Sequence, residues 1–592
     1  MRSCDKISFI TAPIISELPY FLFSFFLLTP LTIADVKGLL LSFCWNEEWL
    51  DIYRYICVVL IFSYVTSLVI YILRGWKQKI VKCLLYIFSI GLFTIYKFLS
   101  LNFDTILNPQ YLLVAGETNT KESLEFLSTF LCSNNGLILF IYIIVIITSI
   151  IILEKYKRHL QKKFTKCVLT IVVLIILCGI IPSGKMLYDL SKVQTVYDIE
   201  NWHVYYNGFP MDLLTNLFYC AKSVNVSSDE VEIATKGVEK LQKEKTPIVR
   251  DDSLNIILVV GESFIKYHSN LYGYPLSTNP RLKEEQDKNN LFVFTDVVSP
   301  YNLTSYVLRN MFFTNSISKN EKWYNKVFFP QLFKKAGYKV YFWDNQKGDD
   351  PATAYAFSLN ALFYNSTISK YSYTEVNNSA FQYDGELIDD FYKKSHLTGN
   401  NLIIFHLMGQ HLNAAQRYPH KEPFTLFDKN TTKREDAWLN DEKKEAIAHY
   451  DNATYYNDYV LSQIIEQEKG NNTIIVYLSD HGEEIYDYRD SEGRKGGLPN
   501  PAGMKSFLKY QNDIPFMIWC SPKYQSKHSK TVNCIKSSIN KPYSIDNLPH
   551  LILGLGNINT RNYSPTRNLI SPQYKFTKRV VYDNLDYDKL IK

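Results

Sequence analysis

The chain is poor in cysteine, with ten in 592 residues. That density excludes a small disulfide-stapled scaffold. Glycine (24) and proline (22) are sparse as well, which excludes collagenous and low-complexity architectures. Neither sign of charge dominates: 64 Lys and Arg stand against 58 Asp and Glu, a formal net charge of +6. So mild an excess does not point to nucleic acid as a partner. A hydrophobic content of 47% and an aromatic content of 15% exclude a wholly disordered chain. Length alone suggests roughly three or four domains of ordinary size.

The most informative absence is local. Long apolar stretches are missing after Ser183 and dominate before it. Five stretches approach or reach the roughly 20 residues that cross a bilayer core: 7–33, 52–73, 80–101, 136–153 and 164–181. The first is long and more spans follow, so a cleavable signal peptide is not expected. Lys and Arg set the orientation. Arg2 and Lys6 precede the first span; Arg74, Lys77 and Lys79 follow the second. Lys155, Lys157, Arg158, Lys162, Lys163 and Lys166 follow the fourth, whereas the other two loops hold only Lys37 and Lys121. The N-terminus is therefore expected in the cytoplasm, and everything after Ser183 outside.

Glu17 falls inside the first span between Pro13 and Pro19. An intramembrane carboxylate is a functional candidate by default; the alternative is a Glu close enough to an interface to snorkel. The loop 102–135 carries Leu124, Leu127, Phe130 and Leu131 at helical spacing, which predicts a helix on the outer membrane surface. Residues 185–250 read as a membrane-proximal connector, amphipathic and aromatic over 186–223, then charged. Its first part is expected to lie along the membrane beneath the outer domain.

From residue 251 onward, short apolar runs rich in Ile, Val and Phe recur at 255–260, 291–298, 338–343, 402–407, 473–478 and 515–520. Such runs suit strands buried on both faces of a largely parallel sheet. Helical patterns lie between them, as at 329–336 and 446–467, giving an α/β layered domain. Chemistry in such domains sits past the carboxyl ends of strands. There the sequence places Glu262, Asn302 and Thr304, Asp344 and Asn345, His411 with His406 just before it, and Asp480-His481. Asp, Glu and His with an open position form the ligand set of a catalytic zinc site.

At these residues the chain resembles the bacterial phosphoethanolamine transferases, membrane-anchored members of the alkaline phosphatase/sulfatase superfamily. VVGESFIKYHSNLYGYPLSTNP resembles their first-strand signature, in which a Glu binds zinc. SPYNLTSYVLRNMFF resembles their nucleophile segment and puts the nucleophile at Thr304. HLMGQH followed by RYP, and YLSDHGEE, resemble further motifs, the latter supplying two zinc ligands. The five spans fit, and so does an ETN-x-x-E pattern at Glu117, Thr118, Asn119 and Glu122. Two departures stand out. IYDYRDSEGRKGGLPNPAG lacks the His that members modifying lipid A often carry after S-D-H-G-E, so a second metal is in question. Those members also carry several disulfides, whereas the outer domain here has only Cys520 and Cys534, at most one bridge.

The resemblance implies an N-terminal transmembrane domain of five helices (1–184), a connector (185–250) and a periplasmic catalytic domain (251–592). That domain is expected to have the α/β/α alkaline phosphatase-like (sulfatase-like) fold with a mostly parallel central sheet. It also implies a monomer in the bacterial inner membrane. Zn2+ would be held by Glu262, Asp480 and His481, with Thr304 at the fourth position. The donor would be phosphatidylethanolamine, drawn from membrane lipid, and the acceptor a lipopolysaccharide core sugar, lipid A or another surface glycan. His411, His406, Asn302, Asn345, Glu117 and Asn119 are candidates for binding substrate, although His406, within a strand, is alternatively a satisfied core residue. A lipoteichoic-acid-type phosphoglycerol transferase using phosphatidylglycerol is the runner-up. A sulfatase needs a C/S-x-P-x-R segment, and Ser305-Tyr306-Val307-Leu308-Arg309 lacks the Pro. A noncatalytic sensor or scaffold is disfavoured by the intact Glu262, Thr304, Asp480 and His481.

Overall fold

The computed structural model describes residues 3–30, 48–103, 106–109, 111–112, 134–163, 166–206, 212–246, 248–249, 253–347, 359, 361–411, 413–493, 501–582 and 584–592. The chain forms two compact units, one ending at Ser227 and the other beginning at Ser228.

Among the described residues of the N-terminal unit, four helices are long and apolar enough to cross a membrane: Ile52–Ile72, Gly75–Asn102, Asn134–Lys155 and Leu169–Lys192. The expected continuous first span is broken. Helices Ile10–Ser16 and Leu18–Leu28 meet at 84°, so they make a fifth span only if the bent pair counts as one. The sequence explains the break. Pro19 sits in the first turn of the second helix, where its missing N–H costs nothing, and Glu17 before it leaves helical geometry at φ −117°. The 11 residues of that second helix rise only about 16 Å, roughly half a bilayer core.

The Glu17 carboxylate is buried and well partnered. It accepts Lys82 Nζ at 2.7 Å and Lys157 Nζ at 3.3 Å, with Gln78 Nε2 at 3.4 Å. Lys82 also pairs with Glu154 at 2.5 Å. These bases adjoin the two Lys-rich connections, so the snorkelling alternative describes Glu17 better than an isolated charge in hydrocarbon does. The expected surface helix at 124–131, together with Glu117 and Asn119, lies outside the described residues. The last span runs on as helix Lys166–Lys192 past Pro182, so the boundary expected at 184 falls within a helix. Helices Val196–Tyr205 and Leu213–Gln242 follow.

The C-terminal unit is built on a seven-stranded sheet. In chain order the strands are β1 (Leu254–Gly261), β2 (Leu291–Phe294), β3 (Lys339–Asp344), β4 (Glu375–Val376), β5 (Asn401–His406), β6 (Asn472–Ser479) and β7 (Phe516–Cys520). Their spatial order is β2-β7-β6-β1-β5-β3-β4. The five strands from β6 to β4 are mutually parallel. β7 runs antiparallel to both its neighbours. Every residue of β1, β5 and β6 is buried, as a sheet covered on both faces requires. The helix Asp441–Glu468 covers one face through Ile447, Val460, Leu461 and Ile464. It is capped by the Asn440 side chain on Lys443 N–H, and Asp441 and Glu442 complement its dipole.

Five of the six expected strands lie within two residues of their predicted places. The sixth, 291–298, splits after Phe294. Thr295 N–H turns to Ile539 O, Asp296 pairs with Arg579, and Val297–Val298 joins Tyr543–Ser544 in a separate ladder. The edge strand β4 is two residues in a polar stretch and gave no apolar signal. Cys520 and Cys534 are free thiols, so the one bridge open to the outer domain is not formed.

Candidate active site

The parallel register brings the strand ends level. Gly261 lies beside Ser479, Val260 beside His406, and His406 beside Asp344. The residues just beyond these ends therefore meet, although up to 219 positions separate them along the chain (Glu262 and His481).

Beyond β1 the chain turns sharply. Ser263 has φ +58°, a left-handed conformation uncommon for a residue with a side chain. The turn aims Ser263 N–H at Asp480 Oδ1 (3.1 Å) and Ser263 Oγ at Glu262 Oε1 (2.8 Å). Tyr450 of the long helix pins it by donating its hydroxyl to Ser263 O at 2.6 Å. Beyond β6, Asp480 Oδ1 also accepts His481 N–H at 2.7 Å, while Oδ2 has no protein hydrogen-bond donor. His481 Nδ1 lies 2.8 Å from Gly482 O. A carbonyl only accepts, so Nδ1 carries the proton and Nε2 presents its lone pair. Nε2 is 3.2 Å from Glu262 Oε1 and 3.2 Å from Asp480 Oδ2.

Glu262, Asp480 and His481 thus bring three ligand atoms within 4.8 Å of one another, all fully buried. Burial raises the proton affinity of Asp480, and the neighbouring Glu262 charge raises it further. Two buried carboxylates facing a lone pair are in mutual repulsion that a divalent cation relieves. The oxygen, oxygen and nitrogen donors, with His481 Nε2 turned toward both carboxylates, suit zinc.

Thr304 is the first residue of helix Thr304–Phe312. Its Oγ1 lies 3.0 Å and 3.2 Å from the two Glu262 oxygens and 3.2 Å from His481 Nε2. A hydroxyl at a helix N-terminus sits where negative charge is stabilised.

The remaining sequence candidates separate. His406 Nδ1 donates to Asp344 Oδ1 at 2.8 Å and its buried Nε2 has no protein partner. Burial opposes its protonation, but the Asp344 carboxylate, aided by Glu262 and Asp480, more than offsets this and raises its proton affinity. The protein thus satisfies only one of the two His406 ring nitrogens. His411 lies on the loop after β5, where its carbonyl accepts Arg417 Nε at 3.0 Å. Asn302 Nδ2 donates to Gln511 Oε1 at 3.3 Å. Asn345 is engaged at both ends of its amide, by Asp384 Oδ1 (2.8 Å) and Phe381 N–H (2.7 Å), and so pins a loop.

Sequence reasoning gave no role to three residues that shape the site. Gln346 Nε2 bridges Glu262 Oε2 (3.2 Å) and Leu407 O (2.9 Å); its position two residues past Asp344 was the available signal. Asp384 gathers Met408 N–H and Gly409 N–H, both at 2.9 Å, fastening the loop after β5. Gly409 has φ +50°, and a Cβ there would lie 2.7 Å from both the N and the O of Glu262. Gly409→Ala is expected to displace Glu262, weakening zinc binding at least tenfold while the domain stays folded. Zinc titration and circular dichroism check this.

A mostly parallel sheet whose carboxyl ends carry this trio, beside a hydroxyl at a helix N-terminus, is the layout of an alkaline phosphatase-like domain. The model of the Sulfatase family matches residues 254–558, and the chain belongs to that family. The chain is 32% identical over 356 residues to phosphoethanolamine transferase EptC of Escherichia coli O18:K1:H7. That match covers 58% of this chain and 59% of the relative, so it spans less than two thirds of that protein. Among solved structures, the C-terminal periplasmic domain of EptC from Escherichia coli is 29% identical, covering 58% of this chain and 97% of that one, with a TM-score of 0.48. The same domain in complex with Zn is 27% identical with the same coverages and a TM-score of 0.46.

Proposed function

We propose that the protein transfers phosphoethanolamine from phosphatidylethanolamine to a lipopolysaccharide acceptor, a core sugar or lipid A, at the outer face of the bacterial inner membrane. The observation that carries this reading is the placement of Thr304 Oγ1 within 3.2 Å of both Glu262 and His481. The names of the relatives supply the transferred group, and the apolar helices explain a lipid donor. On this reading residues 1–184 anchor the enzyme, 185–250 connect, 251–592 catalyse, and the enzyme is a monomer.

Glu262, Asp480 and His481 would hold a single zinc ion, which when bound supplies positive charge that lowers the pKa of the Thr304 hydroxyl. Thr304 Oγ1 lies 3.0 Å from Glu262 Oε2, a path for its proton. Thr304 Oγ1 attacks phosphorus, the bond to the glycerol oxygen breaks, and diacylglycerol leaves with a proton. His406, whose proton affinity is raised, is the first candidate to deliver that proton, and His411 the second. An acceptor hydroxyl or phosphate then attacks the phosphoethanolamine–Thr304 ester and restores the hydroxyl.

The test is the intact mass of the zinc-loaded protein after incubation with vesicles of phosphatidylethanolamine or phosphatidylglycerol. A phosphoethanolamine adduct mapped to Thr304 is expected. Diacylglycerol release without that adduct overturns the Thr304 assignment. An adduct formed only from phosphatidylglycerol replaces this reading with phosphoglycerol transfer.

A further inference from the structure

A cavity of about 510 Å³ opens beside the site, between the N-terminal turns of helix Asp441–Glu468, the loop after β5 and the hairpin at 484–493. Its inner wall adjoins the trio along the main chain. Gln410 N–H donates to Glu262 O at 3.0 Å, and Glu483 follows His481 by two residues. Glu483 is 3% exposed and Gln410 1%, yet Glu483 Oε2 and Gln410 Oε1 have no hydrogen-bond donor in the protein. Both orphans are acceptors. A buried acceptor without a donor is costly, so two on one wall mark a place for a ligand that donates hydrogen bonds.

The charge of the lining points the same way. Glu442, Glu445, Glu483, Glu484 and Glu492 line the cavity, and among the described residues no Lys or Arg does. Arg489 neutralises Glu484 at 2.7 Å. Beside Glu445, His449 is 3.9 Å away, and burial lowers its proton affinity. Among the described residues no cation pairs with Glu442, Glu483 or Glu492, while Glu445 accepts Lys429 N–H at 3.1 Å and faces the Lys429 charge. The glutamates sense one another: burial, then the Glu483 and Glu442 charges, raise the proton affinity of Glu492. A bare metal ion is a poor occupant. Among the described residues only Glu262, Asp480 and His481 bring three such ligand atoms within 4.8 Å, so these glutamates are too dispersed for a coordination shell. An organic ammonium, whose N–H bonds and charge reach acceptors spread around it, fits.

We propose that this cavity receives the ammonium group of the donor lipid and so selects an ethanolamine headgroup over an uncharged one. This rests on the reading that phosphatidylethanolamine is the donor. Phosphorus at Thr304 leaves the two-carbon arm to extend past His481, with Glu483 and Gln410 receiving its N–H groups and the outer glutamates supplying field.

The test uses the full-length, zinc-loaded protein and three donors in mixed micelles: phosphatidylethanolamine, phosphatidyl ethylene glycol (a hydroxyl in place of the ammonium) and phosphatidylglycerol. Adduct formation on Thr304 is followed against donor concentration. The wild type is expected to favour phosphatidylethanolamine over phosphatidyl ethylene glycol at least tenfold in kcat/KM. The triple variant Glu442→Gln/Glu445→Gln/Glu492→Gln, with zinc content and Tm checked, is expected to raise KM for phosphatidylethanolamine about tenfold. It should leave phosphatidyl ethylene glycol little changed, so the preference shrinks. Equal use of the two donors by the wild type overturns the proposal even if the variant does not fold. An unchanged KM and preference in a folded variant overturns it too. In both cases phosphatidylethanolamine is still consumed and the functional reading stands; no adduct from phosphatidylethanolamine at all is the separate result that defeats that reading.

Discussion

Replacing Thr304 with Ala will abolish group transfer while leaving zinc binding nearly intact. Thr304 Oγ1 touches Glu262 and His481 but is not needed to hold them: Ser263, Gln346 and Gly482 fix those side chains independently. Removing a nucleophile typically costs about 10⁴- to 10⁶-fold in kcat. Thr304→Ser keeps the hydroxyl but loses the branched methyl that restricts its χ1 rotamer, and is expected to retain activity reduced about tenfold. Product glycolipid by mass spectrometry and zinc by elemental analysis separate the two effects. A Thr304→Ala protein with more than about one per cent of wild-type turnover would show that another group carries the phosphoryl ester.

Metal removal is expected to have the second largest effect, and its pH dependence carries a definite sign. In the folded chain without metal, burial and the Glu262 charge raise the proton affinity of Asp480. A carboxyl whose folded pKa lies above its unfolded value makes the native state bind more protons than the unfolded state over that interval. Stability of the metal-free protein should therefore fall as pH rises from the ordinary carboxylate range toward neutrality. Zinc reverses this: at a thousandfold excess over its Kd it adds about 4 kcal/mol to the native state. Asp480→Asn removes one of the two opposed charges. It should raise the metal-free Tm at pH 7.5, lower the gain on adding zinc, and reduce turnover at least a thousandfold. Thermal unfolding with and without chelator at pH 5.5 and 7.5 reads all the stability terms. A metal-free Tm that rises with pH, or a chelated enzyme with full turnover, contradicts the arrangement.

Much of the sheet was legible because buried parallel strands such as NIILVV and TIIVYL are continuous apolar runs whose ends are marked by polar residues. The same logic located Glu262, Asp480 and His481, which stand one or two residues past β1 and β6. Direction was not legible. β7 is as apolar as β6, and nothing in FMIWC distinguishes an antiparallel neighbour from a parallel one. Local composition also could not show that Pro19 starts a new helix at 84° rather than kinking one span, because hydropathy windows average across the break. Residues acting through their partners were hidden for a further reason. Asn345 and Gln346 are adjacent amides of nearly the same chemistry, yet one holds a loop and the other the Glu262 carboxylate, and only the turn after β3 decides which. Glu483 and Gln410 stood inside recognised motifs, but their empty acceptor atoms are a property of the folded wall, not of the motif.

The level strand ends bear on how such a gene can vary. Main-chain ladders set Gly261 against Ser479 and Asp344 against His406 before any side chain chooses a rotamer. One residue inserted within β1 or β6 would shift that ladder by about 3.3 Å and send alternate side chains to the opposite face. Insertions of any length at the amino ends of the same strands leave the register untouched. Length changes that survive selection should therefore accumulate at that end of the sheet, and reading-frame-preserving insertion libraries should return active clones there and almost none between residues 254 and 261 or 472 and 481.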